Sequence, residues 1–265
     1  MLEQTEMQKT PLHLTKQFIH RIRSSVEYRT LSKNPVFEAQ KAKLQSSQNI
    51  HQGKRCFIIG NGPSLNQTDL SKLRDEFTFG LNRIYLLFDQ LGFSTSYYVC
   101  TNRLVLSQFK ADIIANVPSP KFTVWEHYQI ANTIPDMHFI YRHNYADFFG
   151  NIVKGVWGGA TVTYVAMQIA YFMGFDEVIL IGVDHSFSTQ GKPHKTVVSG
   201  GADPNHFASN YFGKGVKWQL PDLVTSEYAY SLANQAYQKA GKRIVDATIG
   251  GKLKVFPKIN YTDLW

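Results

Sequence analysis

Cys56-Phe57-Ile58-Ile59-Gly60-Asn61-Gly62-Pro63-Ser64-Leu65 decides the fold. Four apolar residues run straight into two glycines, an asparagine, a proline and a serine, the pattern of a strand ending in a tight turn that opens a helix. Two readings of the turn stand side by side. In one, Gly60 and Gly62 supply φ > 0 or let the backbone approach a ligand, and the amides that follow point at an anion, a nucleotide phosphate being the expected one. In the other, the turn is structural, with Pro63 at the first helical position and Ser64 capping toward Gln67. The spacing lacks the third glycine of the dinucleotide fingerprint and the Gly-Lys-Ser/Thr ending of a P-loop.

Working outward, short apolar runs near 56–59, 77–80, 97–100, 121–124, 138–141, 178–181 and 243–246 alternate with helical patterns, as expected of an α/β, Rossmann-like fold with a mostly parallel sheet and helices on both faces. Several runs end in polar residues: Asn82 and Arg83 after the second, Thr101 to Arg103 after the third, and Asp184-His185 after the sixth. In open parallel sheets such ends meet in one crevice. The segment 159–173 is apolar nearly all round and reads as a buried helix, opened by Gly158, Gly159 and Thr161 and closed by Gly174. Its N-terminus is a second place for a phosphate or carboxylate, although glycines there also serve close packing.

Asp184 suits a ribose hydroxyl, a magnesium ion, the orientation of a histidine or a plain turn cap, and His185 suits acid/base chemistry or a structural hydrogen bond. The stretch 186–222 has little periodicity and carries His194, His206, Lys192, Lys195 and Lys214 beside Phe207, Tyr211, Phe212 and Trp218, which favour an ordered lid. The absence of ligand spacing sets structural zinc aside but leaves magnesium open, since one or two scattered carboxylates suffice for it, and the absence of a nucleophile elbow speaks against the α/β-hydrolase class.

Composition sets the outer limits. The chain has 265 residues, net charge +8 and two cysteines, Cys56 and Cys100, both inside apolar runs and so read as buried thiols of a cytoplasmic protein. No run approaches the ~18 apolar residues of a membrane span. The charge is concentrated at one end: residues 1–55 hold ten Lys/Arg against four acids. Within them Leu14, Phe18, Ile22, Val26 and Leu31 recur at near-helical spacing. Residues 1–54 are therefore expected to form a separable, basic, amphipathic helical extension of a domain at 55–265. It would pack on that domain, or touch an anionic membrane at its inner face; nucleic acid is not expected as a partner.

Taken together, Phe57 to Leu65, Thr78-Phe79-Gly80-Leu81-Asn82-Arg83-Ile84, Gly158 to Tyr164, Gly174 to Ser186, Asp203-Pro204-Asn205-His206-Phe207 and Lys252 to Pro257 resemble the MptE-like family, also called domain of unknown function 115. One branch of that family transfers diphosphate from ATP to 6-hydroxymethyl-7,8-dihydropterin with Mg2+. Its bacterial relatives are associated with surface glycans and flagellin glycosylation. The family is in turn similar to the family-42 bacterial sialyltransferases, which share Gly-Asn-Gly-Pro-Ser-Leu and use a CMP-activated sugar without a metal.

That resemblance implies a glycosyltransferase taking a nucleotide-sugar donor and a glycan or lipid-linked acceptor, with no cofactor required. The alternatives are a magnesium-dependent diphosphokinase and a non-catalytic nucleotide-binding protein. It implies Asn61 and Ser64 on the donor nucleotide and phosphate, Asn82 and Asn102 on CMP or sugar, the residues around Thr161 on the donor carboxylate or cytosine, and His206 as general base with His185 as its competitor. The phosphate-holding tyrosines of the sialyltransferases are replaced by His185-Ser186-Phe187, which shifts that task to His185, Ser186, Lys192, Tyr211 or Lys214.

Overall fold

The computed structural model describes residues 11–189 and 191–265. Residues 1–10, and the side chain of Leu14 that entered the amphipathic pattern, lie outside the described residues. Helices α1 (Pro11–Leu31) and α2 (Pro35–Gln45) come first. Strands β1 (Arg55–Ile59), β2 (Phe77–Leu81) and β3 (Tyr97–Val99) follow, then α3 (Arg103–Gln108) and α4 (Lys110–Asn116). The chain continues through β4 (Lys121–Val124), β5 (Met137–Ile140), β6 (Arg142–His143), β7 (Val156–Trp157), α5 (Val162–Phe172) and β8 (Glu177–Ile181). It ends with β9 (Thr196–Val198), β10 (Lys217–Gln219), α6 (Leu223–Lys239) and β11 (Arg243–Asp246).

Seven of these strands form one all-parallel sheet in the order β11-β8-β1-β2-β3-β4-β5. They are the seven apolar runs of the sequence. Burial on both faces explains why each run is continuous rather than alternating: Cys56 and Ile58 face the layer of α5 and α6, whereas Phe57 and Ile59 face the layer of α3 and α4. Along α5, Thr163 to Ala170 are all buried. Gln168, fully enclosed, bridges Trp157 by accepting from its N–H at 3.2 Å and donating to its carbonyl at 2.8 Å.

Among the described residues the N-terminal segment is largely helical, and its second helix is packed into the domain. Phe37 and Leu44 of α2 are buried, and the Gln40 carboxamide accepts from the Phe139 N–H at 3.3 Å, so α2 covers β5. On α1, Ser24 Oγ donates to Asn144 Oδ1 at 3.0 Å and Tyr28 donates to the Val153 carbonyl at 2.9 Å. The boundary expected at residue 54 thus falls inside the packed domain, because Phe37, Gln40 and Leu44 of α2 share one buried face.

Candidate functional site

From β1 the chain proceeds to β2 on one side, and from β8 it proceeds to β11 on the other. The loops after these neighbouring strands diverge, which opens a crevice at the switch point. The two turns are tied together: the Gly60 N–H donates to the Ile181 carbonyl at 2.8 Å and the Gly62 N–H to the Gly182 carbonyl at 2.9 Å. Neither Gly60 nor Gly62 has positive φ. A Cβ on Gly60 would lie 2.2 Å from the Gly182 oxygen, and one on Gly62 would lie 1.8 Å from Asp184 Oδ2. The glycines are required by the contact between the two turns.

The same contact redirects Ser64. Its N–H and Oγ donate to the two carboxylate oxygens of Asp184 at 3.1 and 2.7 Å, and it is buried. The anion facing the short helix Pro63–Gln67 is therefore a side chain of the protein itself.

A cleft of about 580 Å³ opens here. Gly60, Asn61, Gly62, Asn82, Asn102, Thr161, Asp184, His185, Ser186 and His206 all line it. Asn102 caps α3 by accepting from the Leu104 and Val105 N–H groups through Oδ1, which leaves its amide nitrogen for a ligand. Thr161 caps α5 in the same way and lies 3.3 Å from the Tyr230 hydroxyl. Asn61 Nδ2 donates to the Leu81 carbonyl at 3.0 Å, and Oδ1 of both Asn61 and Asn82 is buried without a partner.

Ser64, Gly159, Lys192, Tyr211 and Lys214 do not line the cleft. Gly159 packs against Ala229 and Tyr164, the two lysines are exposed, and Tyr211 is inside the core with its hydroxyl accepting from the Arg83 N–H at 3.1 Å. The lid is pinned rather than draped: the Phe207 N–H donates to the Asn61 carbonyl at 2.9 Å, Asn66 Nδ2 donates to the Phe207 carbonyl, and the Arg83 guanidinium donates to the Tyr211 carbonyl. Within it β9 and β10 form an antiparallel hairpin that places Trp218 on the cleft.

Each histidine of the site has its own setting. His206 Nδ1 donates to Asp203 Oδ2 at 2.8 Å, and its ring stacks on Tyr211 at 4.0 Å. Burial alone would raise the Asp203 carboxyl, but hydrogen bonds from His206 and from the Asn205 and Phe212 amides hold it below the usual carboxylate range. With Nδ1 committed, Nε2 is the nitrogen free to take a proton. His185, at φ 54°, is bonded to Glu227 at 3.0 Å, and His194 to Asp222 at 3.2 Å. His127 is buried beside Thr123, and burial together with Arg142 and Arg103 lowers it to about 4, so that it is neutral at physiological pH.

The profile of the family described as "6-hydroxymethylpterin diphosphokinase MptE-like" matches residues 28–190, more than half of the sequence. The chain belongs to the MptE-like family. Comparison with curated proteins returned no match. Among solved structures, the MAf glycosyltransferase from Magnetospirillum magneticum AMB-1 superposes with a TM-score of 0.55 at 13% identity. The superposition covers 86% of this chain and 39% of that one, so the MptE-like chain spans about two fifths of its structural neighbour, with which it shares the fold.

Asp203 stands in the quoted loop motif with His206 and lies behind the lining; its bond to that ring appears only when the loop folds. This MptE-like cleft is also lined by residues that the sequence did not single out. His127 and Glu126 follow β4, and Arg142 follows β5, and both strands were legible; only their polar ends went unread. Among the described residues no helix is long and apolar enough to cross a membrane.

Proposed function

We propose that the protein is a glycosyltransferase that moves a CMP-activated acidic sugar, a nonulosonate or a close relative, onto a glycan or lipid-linked acceptor in the assembly of surface glycans. The observation that carries this reading is His206 in the wall of the switch-point cleft, a nucleotide-sized space, with its Nδ1 held from behind by Asp203. The acceptor oxygen attacks the anomeric carbon of the donor, and the bond from that carbon to the phosphate oxygen breaks. CMP departs with the electron pair, and the acceptor proton passes to His206 Nε2. Asp203 holds the imidazole in the required tautomer and stabilises the imidazolium.

The lining supports an anionic donor. Arg103, which has no carboxylate partner among the described residues, lies in it, and the orphaned Oδ1 atoms of Asn61 and Asn82 suit hydroxyl or exocyclic amino groups. With Ser64 given to Asp184 and Tyr211 in the core, donor-phosphate contact falls to Ser186, His185 and Arg103.

The family description favours a second reading, ATP-dependent diphosphate transfer to a pterin. That chemistry calls for Mg2+, which needs free carboxylate oxygens. Glu126 is paired with Arg142, both oxygens of Asp184 accept from Ser64, and Asp222 caps α6 while bonded to His194. These residues, as arranged, do not fit a magnesium site. A thermal-shift panel of CMP, UDP, GDP and ATP, each with magnesium and with a chelator, separates the readings. Chelator-insensitive stabilisation by CMP is expected; stabilisation by ATP alone, dependent on magnesium, would favour the pterin enzyme.

A further inference from the structure

We propose that the outward face of α1 docks the protein on an anionic membrane surface. The helix is seated on the domain through Ser24 and Tyr28, with Glu27 on the seated side, where Tyr141 donates to its carboxylate at 3.0 Å. The opposite face carries Phe18, Ile19, Ile22 and Val26, which are 64, 45, 49 and 55% exposed. Their spacing of i, i+1, i+4 and i+8 puts them in one stripe. Four of the eleven large apolar side chains exposed among the described residues therefore lie on this single helix.

Arg23 and Arg29 flank the stripe, both exposed, and neither has a carboxylate partner among the described residues. An apolar stripe alone would also suit a second copy of the chain. A two-fold contact, however, would bring these arginines toward their symmetry mates with no acid on the face to receive them. A bilayer containing anionic lipid accepts both features, the stripe at the acyl boundary and the arginines among the headgroups. Tyr141, whose hydroxyl also lies 3.2 Å from the Ser24 carbonyl and so holds α1, precedes Arg142 of the cleft lining. Docking would thus hold the cleft close to the lipid surface. The docking does not depend on the glycosyltransferase reading.

Flotation of the full chain with vesicles of phosphatidylcholine, alone or mixed with phosphatidylglycerol, tests the proposal. The expected result is binding to the mixed vesicles only. Ile22→Asp should lower partitioning roughly tenfold or more, and Arg23→Gln and Arg29→Gln about fivefold each. These side chains face outward, so far-UV circular dichroism and the thermal midpoint should not move. If Ile22→Asp nevertheless unfolds, the Arg23→Gln/Arg29→Gln variant, which keeps the stripe, decides. Failure of the full chain to float, or equal flotation of the arginine variant, overturns the proposal. So does lipid-free self-association that Ile22→Asp abolishes, which would assign the face to a second copy.

Discussion

With Nδ1 engaged by Asp203, His206 has a single nitrogen left to take a proton, and both partners become testable. His206→Ala should lower turnover by roughly 10²- to 10⁴-fold with little change in nucleotide affinity. Asp203→Asn should fall in the same range of about 10²- to 10⁴-fold, because an amide N–H facing Nδ1 selects the wrong tautomer. Unlike a merely structural loss, it should lower kcat while leaving KM nearly unchanged. His127 gives a separate pH signature. Between about pH 6.5 and its lowered value of about 4, the unfolded chain binds a proton that the folded protein refuses, so stability drops as pH falls through that window. The amount is about 3 kcal/mol over the whole window, of which about 2 kcal/mol is lost by about pH 5. Thermal unfolding at about pH 7 and about pH 5 should show a smaller decrease for His127→Asn than for the unsubstituted protein. His206 was legible because it stands in a chemically loaded loop. His127 was not, because its meaning comes from burial beside two arginines distant in sequence.

At the scale of elements, the turn after β1 and the turn after β8 act as one unit through Gly62, Ser64 and Asp184. Gly62→Ala must push its Cβ against the Asp184 carboxylate, at a cost of about 1–3 kcal/mol. In an Asp184→Ala background the same substitution should cost less, and a double-mutant cycle by urea unfolding measures that coupling. Additive effects would show that the two turns do not share this contact. The seven sheet strands were readable because strands buried on both faces leave continuous apolar runs. The β9–β10 hairpin was not, since its two three-residue strands lie outside the main sheet and bury no continuous apolar run. Ser64 was misread for a related reason. A serine at a helix start looks the same whether it faces a ligand phosphate or a carboxylate that arrives 120 residues later.

For the molecule as a whole, α1 and α2 differ in how far they belong to the domain. Deleting residues through 33 removes polar contacts at Ser24 and Tyr28 and should leave one cooperative thermal transition. Deleting through 54 also strips Phe37 and Leu44 from the core, each worth about 2–5 kcal/mol, and should abolish cooperativity. Charge and periodicity made this segment look separate, while the contacts of its few apolar residues bind it to β5. The reaction of the whole chain is measured most directly as nucleotide release from a CMP-activated nonulosonate, with chelator present, by the full chain and by His206→Ala. CMP should accumulate with the first and fall roughly 10²- to 10⁴-fold with the second. No CMP release at all, alongside magnesium-dependent formation of AMP from ATP and 6-hydroxymethyl-7,8-dihydropterin, would contradict the claim.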